Sequence, residues 1–175
     1  GGDEQFWTVG ETFDSYARIN AYIHDGDSLL GLDGQFDFDL YYTTQAVFGG
    51  MTSDLSALQG SMATAEAVYG DALMSSFLDN HDVVRFVSEA TEGYKSSCGG
   101  EGLLSAELAW DPQIYTRMRL AWTFLFTQRP VPLVYYGGEI GMPGYSDPDN
   151  RQPLWWYVDT DSETRWSRSP ASSTG

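Results

Sequence analysis

Acidic and polar side chains follow three short apolar segments of this 175-residue chain. Glu11 ends the segment "FWTVGE", the cluster from Asp79 to Asp82 begins where "ALMSSFLD" ends, and the stretch from Tyr135 to Glu139 follows "VPLV". Two carboxyl groups that converge on one pocket suit general-acid and charge-stabilising roles, because a neighbouring charge or a dry site separates their pKa values. The alternatives are that each acid caps a helix and that "FLDNHDVVRF" forms a surface turn.

Short apolar segments alternate with amphipathic segments along the chain, which is typical of α/β folds. Strands are predicted at residues 6–11, 33–42, 72–79 and 131–137, of which the first and the last are predicted to be buried and the second to have two different faces. Helices are predicted at residues 12–23, within 43–68 and at 113–128. This order predicts a parallel sheet covered by helices, in which the carboxyl ends of the strands lie on one side. Glu11 and Asp82 are therefore expected to share one rim.

The composition favours a folded domain with an uncharged ligand. Apolar residues make up 42% of the chain and aromatic residues 15%, which is too many for a disordered protein. The 25 acidic and 9 basic residues give a net charge of −16, which repels phosphate backbones and anionic lipids. We therefore expect no nucleic-acid and no membrane partner. Because Cys98 is the only cysteine, neither an internal disulfide nor a cysteine metal cluster is expected.

Four segments resemble the second half of the catalytic domain of the α-amylase family, glycoside hydrolase family 13. They are "TVGETFD", "LDGQFDFDLYY", "SFLDNHDVVRF" and "VPLVYYGGEIGMPGYSDPDNRQPLWW", in this order along residues 6–156. The resemblance implies a partial TIM barrel of the (β/α)8 type, in which the predicted strands are the fifth to the eighth and carry flanking helices. It places the active face at the carboxyl ends of those strands.

The resemblance also implies roles for five residues. Glu11 matches the general acid/base of the family motif "GE". Asp82 matches the third catalytic acid, which holds sugar hydroxyls and steadies an oxocarbenium-like transition state, and His81 matches a histidine that hydrogen-bonds a sugar hydroxyl. Asp147 and Arg151 match the loop after the last strand, which contacts the sugar next to the scissile bond.

Other residues of these segments are interpreted as structural. Tyr135, Tyr136 and Glu139 match a family motif that is architectural rather than in contact with substrate. Trp155 and Trp156 are interpreted as packing residues, with a platform for a sugar ring as the alternative.

The nucleophile of the family's retaining mechanism has no match in this chain. In the family it is an aspartate at the end of the fourth strand, before the general acid, and Asp3 and Glu4 show no trace of its motif. Asp37 and Asp39 are not expected to replace it, because they lie within a predicted strand. The isolated chain is therefore expected to be inactive. Calcium is a further implication of the family, and no residue of this chain is predicted as a metal ligand.

Residues 1–156 are predicted to form the barrel half, with a loop insertion at about 91–112, and residues 157–175 a disordered tail. The chain starts as though it were cut from a longer parent, so the missing signal peptide leaves the compartment unknown, and an extracellular or periplasmic parent is compatible with it. A half barrel leaves sheet edges unpaired. We therefore expect the missing N-terminal half, or a second copy of the chain, to cover them.

The expected parent hydrolyses α-glucosidic bonds of starch-like α-glucans by a retaining mechanism. Transglycosylation or α-glucosidase activity is one alternative, and a noncatalytic barrel relative that binds a partner is another. The presence of all five candidate site residues favours an enzyme, because a chain freed from catalysis has no physical reason to keep them at one rim.

Overall fold

Six short strands and five helices are present in the computed structural model, which describes residues 6–25, 28–29, 31–92 and 111–154. The strands are β1 (Val9–Gly10), β2 (His24–Asp25), β3 (Ser28–Leu29), β4 (Gly34–Gln35), β5 (Ser75–Phe77) and β6 (Val131–Leu133). The helices are α1 (Tyr16–Asn20), α2 (Phe38–Thr44), α3 (Leu55–Tyr69), α4 (Phe86–Glu92) and α5 (Pro112–Phe126). A π-helical turn spans Gln45–Gly49, and 3₁₀ turns span Gly138–Ile140 and Asp149–Arg151.

Four of the strands lie side by side in chain order and run parallel. Strand β1 pairs with β4, and β5 pairs with β6. A parallel bridge between Phe36 and Ser75 joins β4 to β5. The order β1-β4-β5-β6 confirms the predicted parallel arrangement and places the carboxyl ends of these strands on one side. Strands β2 and β3 form an antiparallel hairpin that the sequence pattern did not predict.

Helix α5 confirms the predicted amphipathic helix almost residue for residue. It spans Pro112–Phe126, and the Asp111 carboxylate caps it by accepting a hydrogen bond from Gln113 N over 2.8 Å. Four of the five residues predicted on one side are buried at helical spacing, namely Ile114, Met118, Ala121 and Leu125, and the fifth, Trp122, is half-buried. They join one of two apolar clusters, and the other lies around α1, α2 and the end of α3. Helices on the sheet therefore supply most of the core.

The strand predicted at residues 33–42 is wrong beyond its first half. The chain is extended only at β4 and at the bridge residue Phe36, and α2 begins at Phe38. The reason is a cap: the Asp37 carboxylate accepts a hydrogen bond from Leu40 N over 3.0 Å, which satisfies a free amide of the first helical turn. Phe38, Tyr41 and Thr44 are then buried at helical spacing.

The first predicted strand and helix are shorter than expected. Residues 6–11 contain only the two-residue β1, and Phe6 is 84% exposed rather than buried. Among the described residues only β4 pairs with β1. The predicted helix at 12–23 forms only as α1, after Asp14 has accepted hydrogen bonds from the backbone and hydroxyl of Ser15.

The predicted tail at 157–175, Trp155, Trp156 and the acids of "GGDEQ" lie outside the described residues. Most of the insertion predicted at about 91–112 also lies outside them. The two ends of that predicted insertion are helical instead. Residues 91 and 92 complete α4, and Pro112 opens α5. Within the described ranges, no helix combines the length and the apolar character that crossing a bilayer requires.

Candidate active site

Glu11, His81 and Asp82 come together at the rim where the parallel strands end. Glu11 follows β1, and the other two follow β5. One potential ligand atom from each residue lies within 4.8 Å of the other two. All three side chains are exposed, so a ligand could reach them without any opening of the fold. Such a group can donate a proton, accept hydrogen bonds and oppose positive charge.

Asp147 and Arg151 lie beside these three residues, and we call the five together the exposed corner. Arg151 Nη2 is 3.0 Å from Asp82 Oδ1, and Arg151 Nε is 3.3 Å from Asp147 Oδ1. Arg151 Nε also donates to the carbonyl oxygen of His81 over 2.9 Å. The structure therefore brings all five sequence-predicted site residues into one connected group.

Asn80 joins the two strand ends that supply this group. Its side-chain oxygen accepts hydrogen bonds from Asp82 N over 2.8 Å and from Val83 N over 3.1 Å, which closes a tight turn. Its side-chain nitrogen lies 3.4 Å from Glu11 Oε1 and donates to it. Asn80 is only 2% exposed. A buried amide thus sets the backbone of His81 and Asp82 and reaches the carboxylate of Glu11.

Arg85 fills the space beneath the exposed corner. Its side chain is completely buried, and its guanidinium carbon lies 4.0 Å from the centre of the Tyr135 ring. Its Nη1 donates to the carbonyl oxygen of Tyr136 over 2.7 Å, and its Nε donates to that of Asn150 over 3.0 Å. Arg85 therefore ties the segment after β5 to the segments after β6. The contacts of Tyr135 and Tyr136 agree with their architectural interpretation.

Asp79 is the buried partner of Arg85. Its Oδ1 lies 3.9 Å from Arg85 Nη1, and its Oδ2 accepts a hydrogen bond from Phe86 N over 3.2 Å. Burial raises the pKa of the Asp79 carboxyl to about 6, although the positive charge of Arg85 opposes that shift. The polar residues of "FLDNHDVVRF" therefore divide into two groups: Asp79, Asn80 and Arg85 are buried, while His81 and Asp82 are exposed.

Asn150 fixes the loop that carries Arg151. Its side-chain nitrogen donates to the carbonyl oxygens of His81 and Val83, each over 2.9 Å, and the residue is completely buried. Residue spacing alone did not indicate that Asn150, Asn80 and Arg85 support the site. Only the pairing of Arg85 with Asp79 had a signal in the sequence, since an acid and an arginine six positions apart beside an apolar run are costly to bury unless they are paired.

Comparisons with known proteins cover most of this chain. It is 33% identical to the beta/alpha-amylase of Paenibacillus polymyxa over 149 residues, and this match covers 85% of this chain and 11% of that protein. It is 30% identical to the cyclomaltodextrin glucanotransferase of Bacillus sp. (strain 1011) over 149 residues, and this match covers 85% of this chain and 18% of that protein. The crystal structure of the Geobacillus thermoleovorans α-amylase in complex with acarbose superimposes with a TM-score of 0.69 at 30% identity, over 90% of this chain and 31% of that one.

This chain belongs to the α-amylase family. It spans between about a tenth and a third of the length of these family members. No family model matches the chain. The superimposed α-amylase is a TIM barrel, and the parallel strands β1, β4, β5 and β6 agree with a partial barrel.

Asp37 and Asp39 lie at the start of helix α2 and not within a strand as predicted. Asp37 is not within a strand but caps α2 and is 1% exposed. Burial raises the pKa of the Asp37 carboxyl to about 6, the hydrogen bond from Leu40 opposes the shift, and the charge of Asp39 adds to it. Burial also raises the pKa of Asp39. Their environment is that of a helix start, which suits capping better than attack on a sugar.

The donor atoms among the described residues can be set against the ligand shell of calcium. Among them, one group of three acid or histidine side chains brings its ligand atoms within 4.8 Å, namely Glu11, His81 and Asp82. Calcium takes six to eight oxygen ligands, whereas this group offers one imidazole nitrogen and two carboxylates. The group does not fit calcium, and calcium has no part in the chemistry described below.

Proposed function

We propose that this chain supplies the proton-donor side of an active site that cleaves α-glucosidic bonds of starch-like α-glucans with retention of configuration. Residues 1–156 would form the second half of a catalytic (β/α)8 barrel, with β1, β4, β5 and β6 as its fifth to eighth strands. The parallel order of these strands and the similarity to α-amylases support this proposal.

The convergence of Glu11, His81 and Asp82 is the observation that supports the function most directly. Glu11 would protonate the glycosidic oxygen of the leaving group and later deprotonate the attacking water. Asp82 would hold sugar hydroxyls and oppose the positive charge that develops on the sugar ring. His81 would donate a hydrogen bond to a hydroxyl of the same ring.

Asp147 and Arg151 would bind the neighbouring sugar and keep Asp82 in place. The planar fork of Arg151 contacts both carboxylates, so it fixes the direction in which each one points. Asp82 is a poor candidate for the nucleophile, because Arg151 lies 3.0 Å from its Oδ1 and His81 Nε2 lies 3.3 Å from its Oδ2. We expect the nucleophile to lie outside this chain, and the isolated chain to be inactive.

Transglycosylation is the second candidate function. The observation that favours it is the similarity to a cyclomaltodextrin glucanotransferase, which is nearly as close in identity as that to the beta/alpha-amylase. The five site residues serve hydrolysis and transfer equally well, because the two reactions share a glycosyl-enzyme intermediate and differ in the acceptor that attacks it.

Calcium is implied by family membership alone.

A hybrid enzyme tests the proposal. Residues 6–154 would replace the matching segment of the Geobacillus thermoleovorans α-amylase, and the hybrid would be assayed on soluble starch, with analysis of the products for hydrolysis and transfer. Glu11→Gln and Asp82→Asn are expected to lower kcat by about 10²–10³-fold or more, because the first removes the proton that the leaving group needs and the second removes the charge that opposes the positive sugar ring.

Glu66→Gln is the matched control, since Glu66 is an exposed acid on α3. It is expected to leave kcat unchanged. Full activity of the Glu11→Gln hybrid would overturn the assignment of the proton donor. Starch turnover by the isolated chain that is lost in its Glu11→Gln variant would overturn the expectation that the nucleophile lies elsewhere.

A further inference from the structure

The exposed corner has the donor atoms and the spacing of a transition-metal site. His81 Nε2 lies 3.3 Å from Asp82 Oδ2, and Glu11 offers a carboxylate oxygen within 4.8 Å of both residues' ligand atoms. Tetrahedral zinc, with bonds of about 2.0–2.1 Å, separates neighbouring ligand atoms by about 3.3–3.4 Å. The His81–Asp82 pair already has that separation. Glu11 needs a shift of at most about 1.5 Å, which an exposed side chain can make by a rotamer change.

Each of the three groups keeps an atom that a metal could use without breaking its contact to Arg151 or Asn80. Arg151 engages Oδ1 of Asp82, and the 3.3 Å contact between Oδ2 and His81 Nε2 is the one that a metal between these two atoms would replace. Asn80 contacts Oε1 of Glu11, which leaves Oε2 available. These contacts orient both carboxylates from the side that a metal would not use, in the way that outer hydrogen bonds orient metal ligands.

The charge of the corner also suits a dication. Glu11, Asp82 and Asp147 contribute three negative charges and Arg151 one positive charge, which gives −2 with His81 neutral. One imidazole and two carboxylates are ligands that zinc accepts, with a fourth position open to water. Calcium and magnesium prefer oxygen ligands and octahedral or larger shells, so the imidazole selects against them.

We propose that Glu11, His81 and Asp82 bind a divalent transition cation of the zinc type, and that this cation excludes an α-glucan from the corner. The exclusion of the glucan rests on the proposed function, whereas the metal site itself does not. The metal would act as an inhibitor, because it occupies the lone pairs through which Glu11 and Asp82 would serve a sugar.

Calorimetric titration of the tag-free chain with Zn²⁺, in a buffer that does not bind metals, tests the site. One saturable site per chain is expected. His81→Gln and Asp82→Asn are each expected to weaken binding by about 10-fold or more, since each removes one of three ligands. Co²⁺ is a second probe, because its visible absorption reports a tetrahedral site directly and should be lost in both variants.

Two matched controls are available in the chain. His24→Gln changes the only other histidine, whose Nδ1 lies 2.8 Å from Asn20 Oδ1, and Cys98→Ser removes the only thiol. Both are expected to bind Zn²⁺ as the unmodified chain does. Loss of binding in either control, or no saturation below about 1 mM in the unmodified chain, would overturn the metal site. Far-ultraviolet circular dichroism confirms that each variant is folded before titration.

Acarbose separates this inference from the proposed function. Zn²⁺ affinity that falls as acarbose is added supports exclusion of the sugar, and simultaneous binding of both overturns it. A chain that binds Zn²⁺ through His81 but binds neither acarbose nor maltoheptaose would support the metal site and contradict the proposed function.

Discussion

Arg151 Nη2 lies 3.0 Å from Asp82 Oδ1, although 69 positions separate the two residues in the chain. The contact joins the loop after β6 to the loop after β5, and both loops also contain a buried connection beneath it, through Asn150 and Arg85. The corner therefore has an exposed layer, which can meet a ligand, above a buried layer that holds the two loops together.

Arg151→Gln is expected to weaken binding of acarbose by about 10-fold or more while the free energy of unfolding changes by no more than about 1 kcal/mol. The side chains of Arg151 and Asp82 are 41% and 52% exposed, and ion pairs of that kind contribute little to stability. Titration calorimetry and urea unfolding measure the two quantities. Arg151→Lys should recover part of the affinity, because it restores the charge without the fork. An equal loss of affinity in Arg129→Gln, at an exposed pair on another surface, would contradict the prediction.

Arg85→Met is expected to lower the free energy of unfolding by about 3–5 kcal/mol, because it leaves Asp79 as a buried charge without its partner. The matched control is Arg129→Met, which breaks the exposed pair with Asp71 and is expected to cost at most about 1 kcal/mol. Urea unfolding followed by tryptophan fluorescence measures both. Hydrogen exchange in residues 147–151 should become faster only in the Arg85 variant. Equal costs for the two variants would show that burial does not matter here.

Asn150→Asp is expected to destabilise the chain by about 1–3 kcal/mol or more. The change keeps the shape but replaces a donor that serves His81 O and Val83 O with an acceptor facing two acceptors. Asn20→Asp is the control, because the Asn20 side chain uses its oxygen toward His24 Nδ1 and an aspartate keeps that oxygen. Thermal unfolding measures the difference. A melting temperature of Asn150→Asp equal to that of the control would contradict the assigned donor role.

Asp37→Asn is expected to stabilise the chain more at pH 7 than at pH 4. The folded-state pKa of Asp37 is about 6, above the ordinary 3.8, so its contribution to stability is fully present below pH 3.8 and is lost as the pH rises toward 6. Asparagine keeps the acceptor for Leu40 N and removes the charge, which should recover at most about 3 kcal/mol at pH 7. Urea unfolding at the two pH values measures this change.

Asp54→Asn is the control for that experiment. Asp54 also caps a helix, α3, but it is exposed, and hydrogen bonds from Ser56 lower its pKa. Its contribution has the opposite sign: it is present above the ordinary pKa and is lost as the pH falls. A stabilisation of Asp37→Asn that is the same at both pH values would show that the buried charge is not the cause.

Much of the architecture could be predicted from patterns of local origin. The face of α5 followed from apolar spacing alone, because Ile114, Met118, Ala121 and Leu125 need only one apolar surface to pack on. The grouping of Glu11 with Asp82 followed from the geometry of parallel strands, which brings carboxyl ends together whatever the helices do between them.

The failures occurred where one side chain changed the local structure. The alternation "FDFDL" favours a strand, but the hydrogen bond of Asp37 to Leu40 N starts a helix in its middle. The supports of the site were also missed, because the pairing of Arg85 with carbonyl oxygens of Tyr136 and Asn150 depends on segments 51 and 65 positions away. Spacing within one element holds no information about such contacts.

The buried side chain of Arg85 has a thermodynamic consequence for ligand recognition. Its two carbonyl partners and the Tyr135 ring order the loops during folding, so their conformational entropy is lost at that stage and not when a ligand arrives. If these contacts were removed, the loops would lose their conformational entropy each time a ligand binds. The binding entropy would then be more unfavourable and the association rate constant lower. The contacts beneath Asp82 and Arg151 therefore contribute to the entropy of binding, although none of them touches the ligand.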